Sequence, residues 1–239
     1  MQLSIRLKAV ADSVTKGNRV ADVGCDHAYI SIYLIKNNIA PQVIAMDVNK
    51  GPLERAKENI TLYGYEERIQ TRLSDGLEKL VPGEADTILL AGMGGALMVR
   101  ILTEGRAAVS KCTELVLQPQ SELQLVRKYL HQIGYSIAEE HMVKDEGKFY
   151  TIIKAVISDA GTELYSGEVY YLYGKKLLEQ GLPVVKEYLD REKCLRLEVV
   201  EALEQKPTDK TVLRLVEIRR ELLYIEEAMK LMQKDDVNP

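Results

Sequence analysis

The segment Val20–Ile30, VADVGCDHAYI, constrains this chain more than any other. A short apolar run at Val20–Val23 leads into a turn at Gly24. Ile30, Leu34 and Ile35 then recur at helical spacing. A strand, a tight turn and a helix start in that order make up the place where open α/β sheets bind nucleotide-like ligands. The acids are more selective than the pattern. Asp22 and Asp26 flank the turn, where a phosphate-binding loop offers glycine amides and no negative charge. Two carboxylates repel a pyrophosphate and suit a cationic ligand. S-adenosyl-L-methionine, with an ammonium and a sulfonium, is such a ligand.

The next strands repeat the arrangement. Gln42–Asp47 reads as a second strand ending in an acid 25 residues after Asp22, placed to accept hydrogen bonds from ribose hydroxyls, with Val48 beside it. Arg68–Leu73 reads as a third strand, followed by Ser74-Asp75-Gly76. Asp86–Ala91 reads as a fourth, followed by Gly92-Met93-Gly94-Gly95. A helix is expected from near Pro52 and another over 94–102. Glu114–Leu117 reads as a fifth strand, and Ser121 as the cap of a helix ending near Gly134. Tyr135–Val143 and Lys148–Ser158 complete the series, joined by a hairpin turn at Asp145-Glu146-Gly147. Alternating strands and helices predict a mostly parallel sheet covered on both faces. The closing hairpin adds an antiparallel edge that dinucleotide folds usually lack.

The pattern changes near Asp159-Ala160-Gly161. Helix formers dominate from about 163 to 234, with breaks at Gly181-Leu182-Pro183 and at Lys206-Pro207-Thr208, where Thr208 is a candidate N-cap. Leu215, Ile218, Leu222, Ile225, Met229 and Met232 form a coiled-coil seam. Val185, Leu189, Leu195, Val199 and Leu203 offer a partner stripe on an antiparallel neighbour. The expected organisation is an α/β domain over 1–160 and a helical, coiled-coil-like domain over 161–239. The seam serves intramolecular packing, a weak dimer or an RNA-facing role.

Other classes are disfavoured. No apolar run approaches the ~20 residues that span a bilayer, and the amino terminus lacks a signal-peptide core, so a cytoplasmic protein without a membrane partner is expected. Cys25, Cys112 and Cys194 are scattered, which disfavours a disulfide framework and a zinc site. His131 and His141 have no acidic or cysteine partners at ligand spacing, so both read as structural and no metal is expected.

Candidate roles follow from position. Asp22, Gly24, Asp26 and His27 form the first ligand loop, although Asp26 could instead cap the following helix and His27 could be structural. Asp47 and Val48 face a ribose. Ser74, Asp75 and Gly76 lie where an adenine amine would bind, or simply form a turn. Ala91 and Gly92 close the donor site. Gly92, Met93 and Gly94 form a substrate-facing backbone loop or a flexible turn.

These motifs carry a resemblance. VADVGCDHAYISIYL, the strand end AMD at 45–47, SDGL at 74–77, LAGMGG at 90–95, LQPQ at 117–120 and GKFYTIIKA at 147–155 are similar to those of the bacterial tRNA adenine-22 N1-methyltransferases. The resemblance implies a class I, Rossmann-like methyltransferase sheet with a helical tail, S-adenosyl-L-methionine as donor, and N1 of a D-loop adenine in tRNA as acceptor. A small-molecule or protein acceptor is the alternative. Ring N1 already has an in-plane lone pair, so no general base is required. Asp26 and the Gly92-Met93-Gly94 backbone are the candidate catalytic elements, offsetting positive charge that moves onto the base. Tyr29, Phe149 and Tyr150 are candidate stacking surfaces for an unstacked base. With 32 Lys and Arg against 36 Asp and Glu, tRNA binding has to use local patches. Arg6, Lys8, Arg100, Arg106, Arg127-Lys128, Lys144 and Lys148 are candidates, with Lys175-Lys176, Arg214, Arg219 and Arg220 in the tail. A monomer or a weak dimer through the helical domain is expected.

Overall fold

The computed structural model describes residues 2–157, 164–205 and 208–233. The chain divides into two compact units, Met1–Leu164 and Tyr165–Pro239. The change of pattern expected near Asp159-Ala160-Gly161 lies outside the described residues.

The first unit runs α1 (Ile5–Asp12), β1 (Val20–Val23), α2 (Tyr29–Lys36), β2 (Val43–Asp47), α3 (Lys50–Tyr63) and β3 (Ile69–Leu73). It continues with β4 (Thr87–Gly94), α4 (Gly95–Glu104), α5 (Arg106–Val109), β5 (Glu114–Ser121), α6 (Leu123–Gln132), β6 (Tyr135–Asp145) and β7 (Lys148–Ile157). One seven-stranded sheet results, in the order β3-β2-β1-β4-β5-β7-β6. Strands β1 to β5 are parallel, and β7 enters antiparallel between β5 and β6. All four residues of β1 are buried, as expected of a central parallel strand covered on both faces. The hairpin turn has φ of 47° at Glu146 and 76° at Gly147. Two successive left-handed residues match the right-handed twist of the flanking strands.

The parallel order places the carboxyl ends of β1, β2, β3 and β4 along one edge. Their order reverses beside β1, which leaves a crevice between β1 and β4. Two sequence expectations change at this edge. Residues 92–94 are not a free loop, because β4 continues through Gly94 and pairs Met93 with Pro119 and Gly94 with Ser121 across a bulge. Gly92 permits the bulge with φ of 77°. The same pairing draws Ser121 into β5. The N-cap position of α6 therefore falls on Glu122, left-handed at φ 54° and without a side-chain cap bond. Helix α3 begins at Lys50 rather than at Pro52, which a first turn tolerates.

The second unit contains α7 (Glu168–Tyr173), α8 (Lys175–Gln180), α9 (Pro183–Glu204) and α10 (Asp209–Gln233). Left-handed Gly181 ends α8 and Pro183 opens α9. Thr208 Oγ1 accepts from Thr211 N at 3.3 Å, an N-cap bond at the start of α10. Residues 206 and 207 lie outside the described residues. Ion pairs Lys193–Glu226, Arg196–Glu221 and Arg219–Glu204 join positions that advance on α9 and recede on α10, so the two helices are antiparallel. The α10 seam is used within the unit, with Ile218 and Ile225 buried. The α9 stripe differs from expectation. Val185 and Leu189 are buried, but Leu195 and Val199 are each 40% exposed. Helical spacing carries the inward line from 185 and 189 to Glu192 and Arg196, one residue away from Leu195 and about 100° around the axis.

Candidate active site

Asp22 sits inside β1 and is 2% exposed. Ser31, from the first turn of α2, donates to its Oδ2 at 2.6 Å. Burial pushes the carboxyl up to about 6, against that hydrogen bond, which pulls it down. A buried carboxylate with one side-chain partner favours the arrival of a cation. The neighbouring Cys25 thiol is raised well above its usual range by burial and by Asp22, so it is inert rather than nucleophilic.

The turn after β1 alternates its hand. Gly24, Asp26 and Ala28 have φ of 75°, 46° and 58°. Gly24 N and Cys25 N both donate to Met46 O, at 2.8 and 3.0 Å. A Cβ at residue 24 would lie 2.2 Å from Met93 Cε, so Gly24 is required by conformation and by the close approach of Met93. Asp26 does not cap α2: its N-cap position is Ala28, with no side-chain bond, and the Asp26 carboxylate is open to solvent. His27 stacks on Tyr29 with ring centroids 5.3 Å apart, and its carbonyl accepts from Asn59 Nδ2 at 3.0 Å.

Across the crevice, Ala91, Gly92 and Met93 of β4 face this turn. Together with Asp22, Gly24, Cys25 and Asp26 they line a cavity of about 320 Å³. Arg6, Leu7, Tyr29, Ile30 and Gln120 complete its wall. Arg6 is held at three points. Its N donates to Asp145 Oδ2 at 3.1 Å, its Nη1 donates to Gln118 Oε1 at 2.8 Å, and its guanidinium lies 5.4 Å over the Tyr150 ring.

The structure thus brings Asp22, Gly24, Asp26, Ala91, Gly92 and Met93 to one cavity. The other candidates stand beside it on the same sheet edge. Asp47 Oδ1 accepts from Asn49 N at 2.8 Å, and Val48 is 56% exposed. Ser74 N donates to Asp47 O, and Ser74 Oγ donates to Gly76 O. Asp75 lies 3.6 Å from Arg100 Nη2. Gly76 packs against Ile101 of α4, and Gly94 is the N-cap residue of that helix.

Several basic candidates for tRNA contact are engaged elsewhere. Arg127 is fully buried and donates to Glu140 Oε1 at 2.7 Å, so it does not reach a phosphate. Lys8 pairs with Asp12, Arg214 with Glu217, and Arg219 with Glu204. Arg106 is exposed. Ser31, Arg6 and Gln120 were absent from the site expected from sequence. The signal was present in LQPQ, which puts two glutamines near one strand end.

The donor set fits S-adenosyl-L-methionine. Carboxylates line the cavity where a cation can be held, and a side chain at Gly24 would have to displace Met93. Among the described residues, no group of three His, Cys, Asp or Glu is placed to hold a metal, and no helix is long and apolar enough to cross a membrane. A methyltransferase-domain family profile matches residues 3–153. The tRNA (adenine(22)-N(1))-methyltransferase of Bacillus subtilis is 36% identical over 159 residues, 66% of this chain and 67% of that protein. This chain belongs to the tRNA (adenine-22 N1)-methyltransferase family. Solved structures agree over 95% of the chain. The TrmK tRNA methyltransferase of B. subtilis superposes with a TM-score of 0.84 at 30% identity, over 95% of this chain and 98% of that one. The Sp1610 protein of Streptococcus pneumoniae, solved with S-adenosyl-L-methionine, gives 0.82 at 29% identity, over 95% and 99%. The seven-stranded sheet and the helical unit therefore have the fold of the adenine-22 methyltransferases.

Proposed function

We infer that this protein is an S-adenosyl-L-methionine-dependent tRNA methyltransferase of the cytoplasm that methylates N1 of adenine 22 in the D-loop. The observation that carries the reading is the facing of two walls across one cavity. Asp22 and Asp26 stand on one side, and the opened backbone of Gly92 and Met93 stands on the other.

S-adenosyl-L-methionine supplies a methyl made electrophilic by the adjacent sulfonium. The chain's own residues do the rest. Asp22, kept in place by Ser31, holds positive charge at the base of the turn, and Gly24, Asp26 and His27 shape the loop around it. Asp47 accepts from ribose hydroxyls, with Val48 beside it, and Ser74, Asp75 and Gly76 surround the adenine end of the donor. Ala91 and Gly92 close the donor side. The target N1 has its own lone pair, so no residue removes a proton, which agrees with His27 being stacked on Tyr29. Asp26 and the carbonyls of Gly92, Met93 and Gly94 oppose the positive charge that develops on the base. Alignment of the reacting atoms is the main contribution, about 7–11 kcal/mol in well-oriented systems. Unstacking the base costs a few kcal/mol, and Tyr29, 39% exposed on the cavity wall, is a surface that receives it.

The chain acts as a monomer or weak dimer. The α10 seam is occupied by α9, so a dimer through the helical unit has to use outer residues such as Leu213, Val216 and Leu223. The deciding experiment is transfer of labelled methyl to tRNA transcripts with adenine or guanine at position 22. Incorporation with adenine alone is expected. Donor binding without incorporation into either transcript would sink the tRNA assignment and redirect the search to a small-molecule or protein acceptor.

A further inference from the structure

One wall of the cavity, formed where β4 and β5 end, carries none of its carboxylates. Beside Gly92 and Met93, β5 ends in Gln118-Pro119-Gln120-Ser121. Gln118 reaches Arg6 and Gln120 reaches the Gly92 bulge, but their situations differ. Gln118 is fully buried; its Oε1 accepts from Arg6 Nη1 at 2.8 Å and its Nε2 donates to Pro119 O at 3.2 Å. Gln120 is exposed on the cavity wall. Among the described residues its carboxamide has no hydrogen-bond partner. It lies close over the β4 bulge, where a Cβ at Gly92 would be 3.7 Å from Gln120 Nε2 and 3.5 Å from Arg6 Nη1.

Methylation at N1 turns the Watson–Crick edge of the base toward the donor. On adenine that edge carries N1 as an acceptor with the N6 amine, a donor, next to it. Guanine presents a carbonyl oxygen and a protonated N1 at the same places. A side chain that accepts from N6 therefore selects adenine and sets the line of N1 in one contact. Arg6 only donates, whereas the carboxamide of Gln120 carries an acceptor that rotation about one bond can aim either way. The carboxylates of Asp22 and Asp26 stand on the opposite wall, and Asp22 is engaged by Ser31.

We propose that Gln120 is the specificity-determining residue of the methyl-transfer reaction, its side-chain oxygen accepting a hydrogen bond from the N6 amine of the target adenine. The proposal rests on the N1-methylation reading above. Arg6, by holding Gln118 beneath, keeps the strand end in place under Gln120.

A cycle of two changes tests it. The wild type and Gln120→Ala are each given full-length tRNA with adenosine or purine riboside at position 22. Purine riboside keeps N1 and lacks the amine. Its weaker nucleophilicity acts equally on both proteins and cancels in the comparison. Gln120→Ala is expected to lower kcat/KM on adenosine tRNA about tenfold, the worth of one hydrogen bond of roughly 1.4 kcal/mol. On purine tRNA the substitution is expected to cost almost nothing. Gln120→Glu, which keeps an acceptor, should retain the preference for the amine. Unchanged donor affinity in Gln120→Ala, measured by calorimetry, establishes that the fold is intact. An adenosine-to-purine ratio equal in the wild type and in Gln120→Ala would overturn the proposal and leave the reading of the amine to carbonyls at the end of β4. Absence of methylation of adenosine 22 by the wild type is a different result, and it removes the functional reading and this inference together.

Discussion

At the residue scale, Asp22 makes stability and function oppose one another. Burial pushes its carboxyl up to about 6, above the ordinary carboxylate range. The folded state therefore binds the proton more tightly than the unfolded chain, and stability falls as pH rises from about 4 through 6. Above that range the ionised group costs on the order of 1–3 kcal/mol. Asp22→Asn, which can keep the Ser31 bond, is expected to raise Tm at pH 8 by a few degrees while weakening S-adenosyl-L-methionine binding at least tenfold. Thermal melts and calorimetry on the same variant check both signs, and a lower Tm at pH 8 would refute the account. For the wild type, donor affinity should fall as pH drops below about 6, because a cationic ligand binds the ionised form; an affinity constant between pH 5 and 8 would refute this. Gly24 presents a second case. Its φ of 75° and the 2.2 Å approach of Met93 Cε to an added Cβ are separate obstacles. Gly24→Ala is expected to cost about 1–2 kcal/mol from conformation alone, plus the displacement of Met93. Adding Met93→Ala should recover only the second part, as denaturant melts of the single and double variants would show.

At the element scale, the decisive feature is the seam between the end of β4 and the end of β5. Glu122 Oε2 accepts from Ala96 N at 3.0 Å, where α4 begins, and so caps α4 from a different element. A Cβ at Gly95 would lie 2.6 Å from Ser121 O and 2.8 Å from Glu122 O, backbone atoms that cannot move aside cheaply. Glu122→Ala is expected to cost about 0.5–2 kcal/mol and to lower kcat more than donor affinity. Gly95→Ala should cost about 1–3 kcal/mol or more. Urea melts with parallel donor titrations separate the two effects. This seam also marks how far the sequence could be read. The alternation of strands and helices, the acid at the end of β2 and the hairpin at Glu146-Gly147 were legible, because each is a local pattern. The continuation of β4 through Gly94 was not, because glycines read as loop until a partner strand pairs with them. Ser121 looked like a cap for the same reason, its fate being decided by Gly94 across the bulge. In the tail the α10 seam is legible, but Leu195 and Val199 read as inward-facing although Glu192 and Arg196 hold that line through Glu221. Apolar type alone does not reveal an ion pair that turns a helix face.

At the scale of the whole molecule, the chain carries a net charge of −4 and has to bind a polyanion with local patches. Phosphate contacts by a few Lys and Arg give an affinity that falls linearly with the logarithm of salt concentration, by roughly 0.7–0.9 per contact. Filter binding across 50–200 mM salt is expected to show such a slope, and exposed Arg106, changed to Glu, should weaken binding and reduce it. A flat profile would argue against phosphate-led recognition. Burial removes Arg127 from any such patch, a fact that its place beside Lys128 in the sequence concealed. Chain order adds a consequence of the tie between Arg6 and Asp145. During synthesis the turn at Gly24 can meet β2 as soon as Asp47 has emerged from the ribosome. The opposite wall waits for a hairpin made about a hundred residues later, because Arg6 needs Asp145 and Tyr150 before it can settle. A nascent chain therefore assembles its acid-lined turn well before the wall that faces it, and Arg6 is made long before it is fixed.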